Sequence, residues 1–453
     1  MGIYTISVSL LIILGVPLFE LTRKKERRID FLTLFNILFI IIYGIAPMYL
    51  YFFEEYTTWS TIKHTDIHLT SFFLGELIAL LFYIIVVISY YFASRLRIIR
   101  RAKEFSEKVY GTVSDKQFFR VAMILYLVGG ISLILYIKSL GGFDEFIRLG
   151  PILRDKGNAV ETKWAFLARL HPLLTVASFI FYAFFRTSKE FDRFKYFFFF
   201  ATALIGAGLS VFHSSGRLNV FSFIITFPLI GIIFHNRIKT KTIVTTLILF
   251  LTIILFGDNL LNVNKENDFR VQKNSIEVAG EVIQEFSFPF TNIGNTIMLF
   301  PSQYDFRGGI IDIAVAPLNY IPSRIISFEF MERQSVSQFN TTIYNTVGQI
   351  PVDMVTFGYM SYGIAGAMII AILYGFILRF VESIFSYTKS MIASAFFSSI
   401  MIFLSFRLMY GDPRQFVYAG FRYVVTFVLL GLLLTFFVRN YQKEKIKTVD
   451  RPA

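Results

Sequence analysis

Apolar residues run through this chain in blocks of roughly 17 to 25, parted by short polar or charged connections, from residue 3 to residue 438. Blocks of that length match the hydrocarbon thickness of a bilayer at ~1.5 Å rise per residue, and a helix satisfies its own backbone groups there. The pattern predicts eleven membrane-spanning helices, over 3–19, 31–53, 70–93, 118–140, 164–185, 196–213, 219–235, 242–260, 355–379, 391–409 and 418–438. One interruption stands apart: the mixed segment from Asp258 to Ile350. It divides the chain into an N-terminal membrane bundle (1–257), a large loop (258–350) and a C-terminal bundle with a basic tail (351–453).

Composition supports this all-α, polytopic reading. With 55% hydrophobic and 18% aromatic residues the chain carries more apolar surface than one soluble core absorbs. It has no cysteine, which removes disulfides, thiolate metal sites and cysteine nucleophiles. The first block lacks a preceding basic region and is followed by Arg23, Lys24, Lys25, Arg27 and Arg28, so it reads as a retained helix and not as a cleaved signal.

The net charge of +13 does not point to nucleic acid, because the cations lie between spans and are not gathered on one face. Alternate connections hold 26 of the 44 Lys and Arg: those after span one, at 95–116, 186–195, 237–241 and 379–389, and the tail from Arg439. The positive-inside rule sets these in the cytoplasm, and the loop 258–350 then falls outside. That loop has six Lys or Arg against ten Asp or Glu, so an anion bound near it must be held by local arginines. Its apolar runs, Phe286 to Phe300 and Ile310 to Ile321, require burial and predict short helices broken near Gly308, Gly309, Pro317 and Pro322.

Arginines on the outer connections are unexplained by topology and carry the chemical signal. Near hydrocarbon an Arg costs ~2.5–3.5 kcal/mol at mid-span, and its planar fork binds phosphate with paired hydrogen bonds. Arg217 closes the turn His213-Ser214-Ser215-Gly216. Arg414 and Arg422 sit eight residues apart after Gly411-Asp412-Pro413, a spacing that puts both on one helix face, with Arg407 on the preceding span near the same mouth. Arg148 and Arg154 follow Gly141-Gly142-Phe143, and Arg324 follows the apolar run ending at Pro322. Each has a plainer reading: a snorkelling side chain, or an ion pair with a neighbour such as Asp412, Glu145 or Asp155.

Glu281, Glu285, Asp312, Asp353 and His213 are the outer acid and base candidates. Glu285 leads because it precedes Phe286 to Phe290, and burial would raise its pKa toward that of a general base. No Walker loop, dinucleotide fingerprint, HExxH or outer Asp-x-Asp pair is present, so any reaction implied is free of metal and cofactor.

Taken in order, these features resemble the Wzy-type oligosaccharide repeat-unit polymerases of O-antigen and capsule synthesis. The resemblance covers nearly the whole chain. It rests on the span layout with one large loop in the second half, Gly141-Gly142-Phe143 with Arg148 and Arg154, the Ser215-to-Arg217 turn, Gly308-Gly309 to Pro322, Gly358 to Gly366, and Arg414 to Arg422. It implies a GT-C-like bundle in the bacterial cytoplasmic membrane that joins undecaprenyl-diphosphate-linked oligosaccharides on its outer face, with inversion. Arg148, Arg154, Arg217, Arg324, Arg407, Arg414 and Arg422 would hold diphosphate and glycan, and Glu285 would accept the proton of the attacking hydroxyl. A chain-length regulator is an implied partner beside membrane lipid. Two other readings stay open: a ligase that moves finished glycan from the same carrier, whose outer-loop histidine is absent here, and a flippase for lipid-linked oligosaccharide, which would need no long outer segment.

Overall fold

The computed structural model describes residues 2–53, 69–112, 114–156, 164–214, 217–241, 244–248, 252, 275–320, 334–344, 350–386 and 390–449. All regular structure among them is helical. Ten helices are long and apolar enough to cross a membrane: α1 (Gly2–Thr22), α2 (Phe31–Phe53), α3 (Thr70–Ala93), α5 (Asp115–Ser139), α7 (Ala165–Thr187), α8 (Glu190–His213), α9 (Leu218–His235), α13 (Met354–Ile384), α14 (Met391–Leu408) and α15 (Pro413–Leu432, continuing to Val449). Each coincides with a predicted span. The eleventh, 242–260, lies for the most part outside the described residues. The other helices are α4 (Arg97–Thr112), α6 (Phe143–Lys156), α10 (Ser275–Leu299), α11 (Ile310–Val315) and α12 (Val336–Tyr344).

Close packing of small residues holds the bundle, as expected where lipid removes the hydrophobic drive between helices. A Cβ on Gly375 of α13 would lie 2.4 Å from the Val86 carbonyl of α3, and Ser89 donates to the Ile372 carbonyl at 2.7 Å across the same contact. Gly294 lets α10 close on Phe72, where an added Cβ would lie 2.4 Å from the ring. Every residue of α14 is buried, and its Ser394, Ser398 and Ser399 hydroxyls donate to carbonyls of their own helix or its cap, which satisfies these three polar groups within the core. Two irregularities escape the apolar pattern. Helix α2 widens to a π-turn over Ile40–Ile45, and α13 breaks at Tyr362 and Gly363, whose φ of 62° suits glycine.

The connections sort to two ends. At the basic end, Arg27 donates to the carbonyls of Phe385 and Ser386 at 2.9 and 3.2 Å, the Arg28 amide to Asn236 at 2.9 Å, and Lys103 pairs with Glu26 at 3.1 Å. The loops after α1, α3, α9 and α13 therefore meet, as alternating crossings require. At the far end lie α6, α11, α12, the end of α8, the start of α13 and the turn 409–412. Within the segment 258–350 the run from Phe286 lies in one 25-residue helix, α10, longer than predicted, and α10 packs on α3 through Gly75 and Gly294. A short helix follows Gly308-Gly309 and passes into a 3-10 turn over Ala316–Tyr320; Pro322 lies outside the described residues.

Candidate functional site

The turn between α14 and α15 is locked in place by its glycine. A Cβ on Gly411 would lie 2.6 Å from the Met354 amide nitrogen, and the Gly411 amide donates to the Val352 carbonyl at 2.6 Å. Asp412 then caps α15: its Oδ1 accepts from the Arg414 amide at 2.8 Å and its Oδ2 from the Ser337 amide at 3.3 Å, with Pro413 in the first helical position. Asn292 of α10 donates to the Pro351 carbonyl at 2.8 Å and accepts from Asn340 of α12 at 3.3 Å. Residues of α10 and α12 thus brace Pro351 and Asp412 on either side of the turn.

Arg407 lies in the last turn of α14, 6% exposed. Its guanidinium sits over the rings of Phe403 and Tyr410, 4.7 and 5.4 Å from their centres, and its Nε is buried without a hydrogen-bond partner. No described carboxylate pairs with it, and the charge of Arg422 acts on it from α15. Arg422 donates to Thr175 Oγ1 of α7 at 3.1 Å, lies 5.0 Å over Tyr423, and also has a buried Nε without a partner. Phe403 and Tyr423, 4.9 Å apart, tie the two arginine-bearing helices together. The result is two adjacent guanidiniums backed by aromatic rings and a hydroxyl, with no anion of the described chain against them.

Across Tyr410 stands Glu285, 9% exposed on α10. Burial raises the Tyr410 phenol well above its usual range; the Glu285 charge adds to that and Arg407 opposes it. Phe288, one turn along α10, approaches the same ring at 6.0 Å. Glu285, Arg407 and Arg422 are the candidates that the fold brings together.

Others are placed differently. Arg414 pairs with Asp312 of α11 at 3.0 Å while Arg422 reaches α7, so the two do not share a partner surface. Eight residues at about 100° each leave an offset of about 80°, enough to send them to different neighbours. Arg148 is exposed and pairs with Glu145 one turn away at 2.7 Å, which raises its pKa. That is a solvated helix pair. Arg154 lies in α6 and Arg217 is the helical residue just before Leu218 of α9, but their side chains are outside the described set, as is all of Arg324.

Three contributors were not singled out from the sequence. Tyr410 was hidden in the turn before Gly411-Asp412-Pro413, although a polar aromatic at that point is the signal. Thr175 was hidden as one polar residue in an apolar span. His171, one turn before it, is 1% exposed, bonds Ser210 through Nδ1 at 2.6 Å and leaves Nε2 without a partner. His213 is buried too, stacked 3.9 Å from Phe146 and bonded to its carbonyl at 2.8 Å.

Comparison with protein-family models, curated proteins and solved structures gives no match to this chain.

Proposed function

We propose that this multi-pass membrane protein is a glycosyltransferase that polymerises undecaprenyl-diphosphate-linked oligosaccharide repeat units on the outer face of the bacterial cytoplasmic membrane. The observation that carries the reading is the buried Arg407 with the half-buried Arg422 acting on it, neither paired with a described carboxylate, and Glu285 across Tyr410. A buried cation without a counter-charge is costly, and Arg407 is one, with the like charge of Arg422 adding to the cost. A diphosphate supplies that counter-charge.

In the reaction, the hydroxyl at the non-reducing end of a carrier-linked repeat unit attacks the anomeric carbon of the growing glycan. The new glycosidic C–O bond forms as the C–O bond to the diphosphate breaks, with inversion. The hydroxyl proton passes to Glu285, and the carrier diphosphate leaves with the bonding electron pair. Arg407 and Arg422 stabilise the charge that develops on it, the role fixed donors fill without reorganisation. Arg154, Arg217 and Arg324 remain candidates for the glycan and second carrier. Arg414, held by Asp312, shapes the wall between α11 and α15. A chain-length regulator is a proposed partner.

A second reading, transfer of finished glycan from the same carrier, draws on His171 and its unpartnered Nε2 beside the Arg422–Thr175 contact. Deletion in a polysaccharide-producing host separates the two on a gel. Single-repeat glycans support the polymerase; intact polymer that is no longer attached supports the ligase and removes the polymerase.

A further inference from the structure

A second polar cluster lies where α1, α2, α3 and α13 meet, on the other side of Asp353 from the turn 409–412 that packs on its backbone. Glu76 of α3 is fully buried: one oxygen accepts from Ser9 of α1 at 2.9 Å, and Oε2 has no partner. Asp353, which caps α13, is also fully buried. Its Oδ1 accepts from the amides of Val355 and Thr356 and from the Tyr43 hydroxyl, each at 3.0 Å, while Oδ2 has none. Thr356, fully buried, interacts with the Asp353 carboxylate through its side chain as well as its amide, and Thr5 Oγ1 has no hydrogen-bond partner one turn before Ser9. Tyr43 sits in the π-turn of α2 and feels both carboxylates. Wide turns of this kind recur at functional sites.

What the cluster lacks is a cation. The groups acting on Tyr43 are Asp353 and Glu76; on Glu76, Ser9; on Asp353, Thr356 and Tyr43. Glu285 of the neighbouring α10 acts on Tyr410 instead, and Tyr83 of α3 feels Glu20 and Arg23 toward the basic end. The turn 409–412 also packs on Asp353, but its neighbour Arg407 lies over Phe403 and Tyr410, and no ion pair joins a described Lys, Arg or His to either acid. Two buried carboxylates cannot both ionise there without compensation.

The geometry points to a buried site for one small monovalent cation, a proton or a sodium ion, held by Glu76, Asp353 and the Tyr43 hydroxyl with the open oxygens of Asp353 and Glu76 as its ligands. The site is separate from the glycan chemistry and does not depend on it. An intramembrane acid pair of this kind is where membrane proteins bind and sense ions.

The test is thermal unfolding of the purified full chain in lipid nanodiscs, in sodium, potassium or choline chloride across a range of pH. A sodium site gives a melting temperature about 5 °C higher in sodium than in choline at saturation, lost in Glu76→Gln and Asp353→Asn. A proton site gives no salt preference. Instead, because burial raises the Asp353 carboxyl to about 6, stability is greatest below about pH 4 and falls as pH rises toward about 6. Asp353→Asn removes that slope. Wild-type protein indifferent to both sodium and pH overturns the proposal, as do amide variants that keep the wild-type dependence. Should the amide variants fail to fold, Tyr43→Phe, which removes one ligand hydroxyl, must weaken the same dependence.

Discussion

The basic end pairs its arginines with carboxylates, whereas the far end does so for Arg148 and Arg414 but not for Arg407 and Arg422. At the basic end, Arg23 sits between Glu20 at 2.6 Å and Asp30 at 2.5 Å, Lys25 joins Glu20 at 2.5 Å, and Arg379 lies 3.8 Å from Glu26 and 4.0 Å from Glu382. Charge is neutralised within the protein. At the far end, Arg407 and Arg422 rest on Phe403, Tyr410 and Tyr423 with a single threonine hydroxyl between them, and no described carboxylate answers either. Aromatic faces position a guanidinium and leave its positive charge in place. The first arrangement fastens loops; the second holds charge ready for an anion from outside the chain.

Substitutions at each end break this contrast in order of size. Arg407→Ala is expected to cut polymer formation about 1000-fold with the protein still in the membrane, read from chain-length ladders against protein abundance. Arg407→Lys regains little, because an ammonium neither stacks as a plane nor forks onto phosphate. Glu285→Gln is expected to lower turnover about 100-fold while carrier binding persists, since only proton transfer is removed. Arg23→Ala acts on stability instead, losing about 3 kcal/mol in unfolding measurements because the buried Asp30 loses its cation while Glu20 keeps only Lys25, with ladder length unchanged. Arg148→Ala, at an exposed pair, should alter neither ladder nor melting temperature. A ladder defect in Arg23→Ala as large as that of Arg407→Ala would erase the distinction between the ends.

Much of the fold was legible because lipid imposes a length on every apolar block. Ten predicted spans match helices, and even the start of α15 follows from Asp412-Pro413, an N-cap followed by the residue suited to the first turn. The pattern could not reveal the π-turn at Ile40–Ile45 or the break at Tyr362-Gly363, since neither changes hydropathy. In the site, the choice of arginine was legible and its partner was not. Arg148, Arg407, Arg414 and Arg422 looked alike in sequence; the fold gives Glu145 to the first and Asp312 to the third, and rings to the other two. Glu285 was found through its aromatic neighbours, but the residue linking it to Arg407, Tyr410, belongs to a loop more than a hundred positions away.

The central claim is that the far-end arginines receive a diphosphate. It is tested most directly by binding of a short-chain polyprenyl diphosphate to the purified full chain, comparing wild type with Arg407→Ala, Arg422→Ala and the paired-arginine controls Arg23→Ala and Arg148→Ala. Affinity should fall at least about tenfold in the first two variants and stay at the wild-type level in the controls. Equal binding by wild type and Arg407→Ala, or an equal loss in Arg148→Ala, would contradict it.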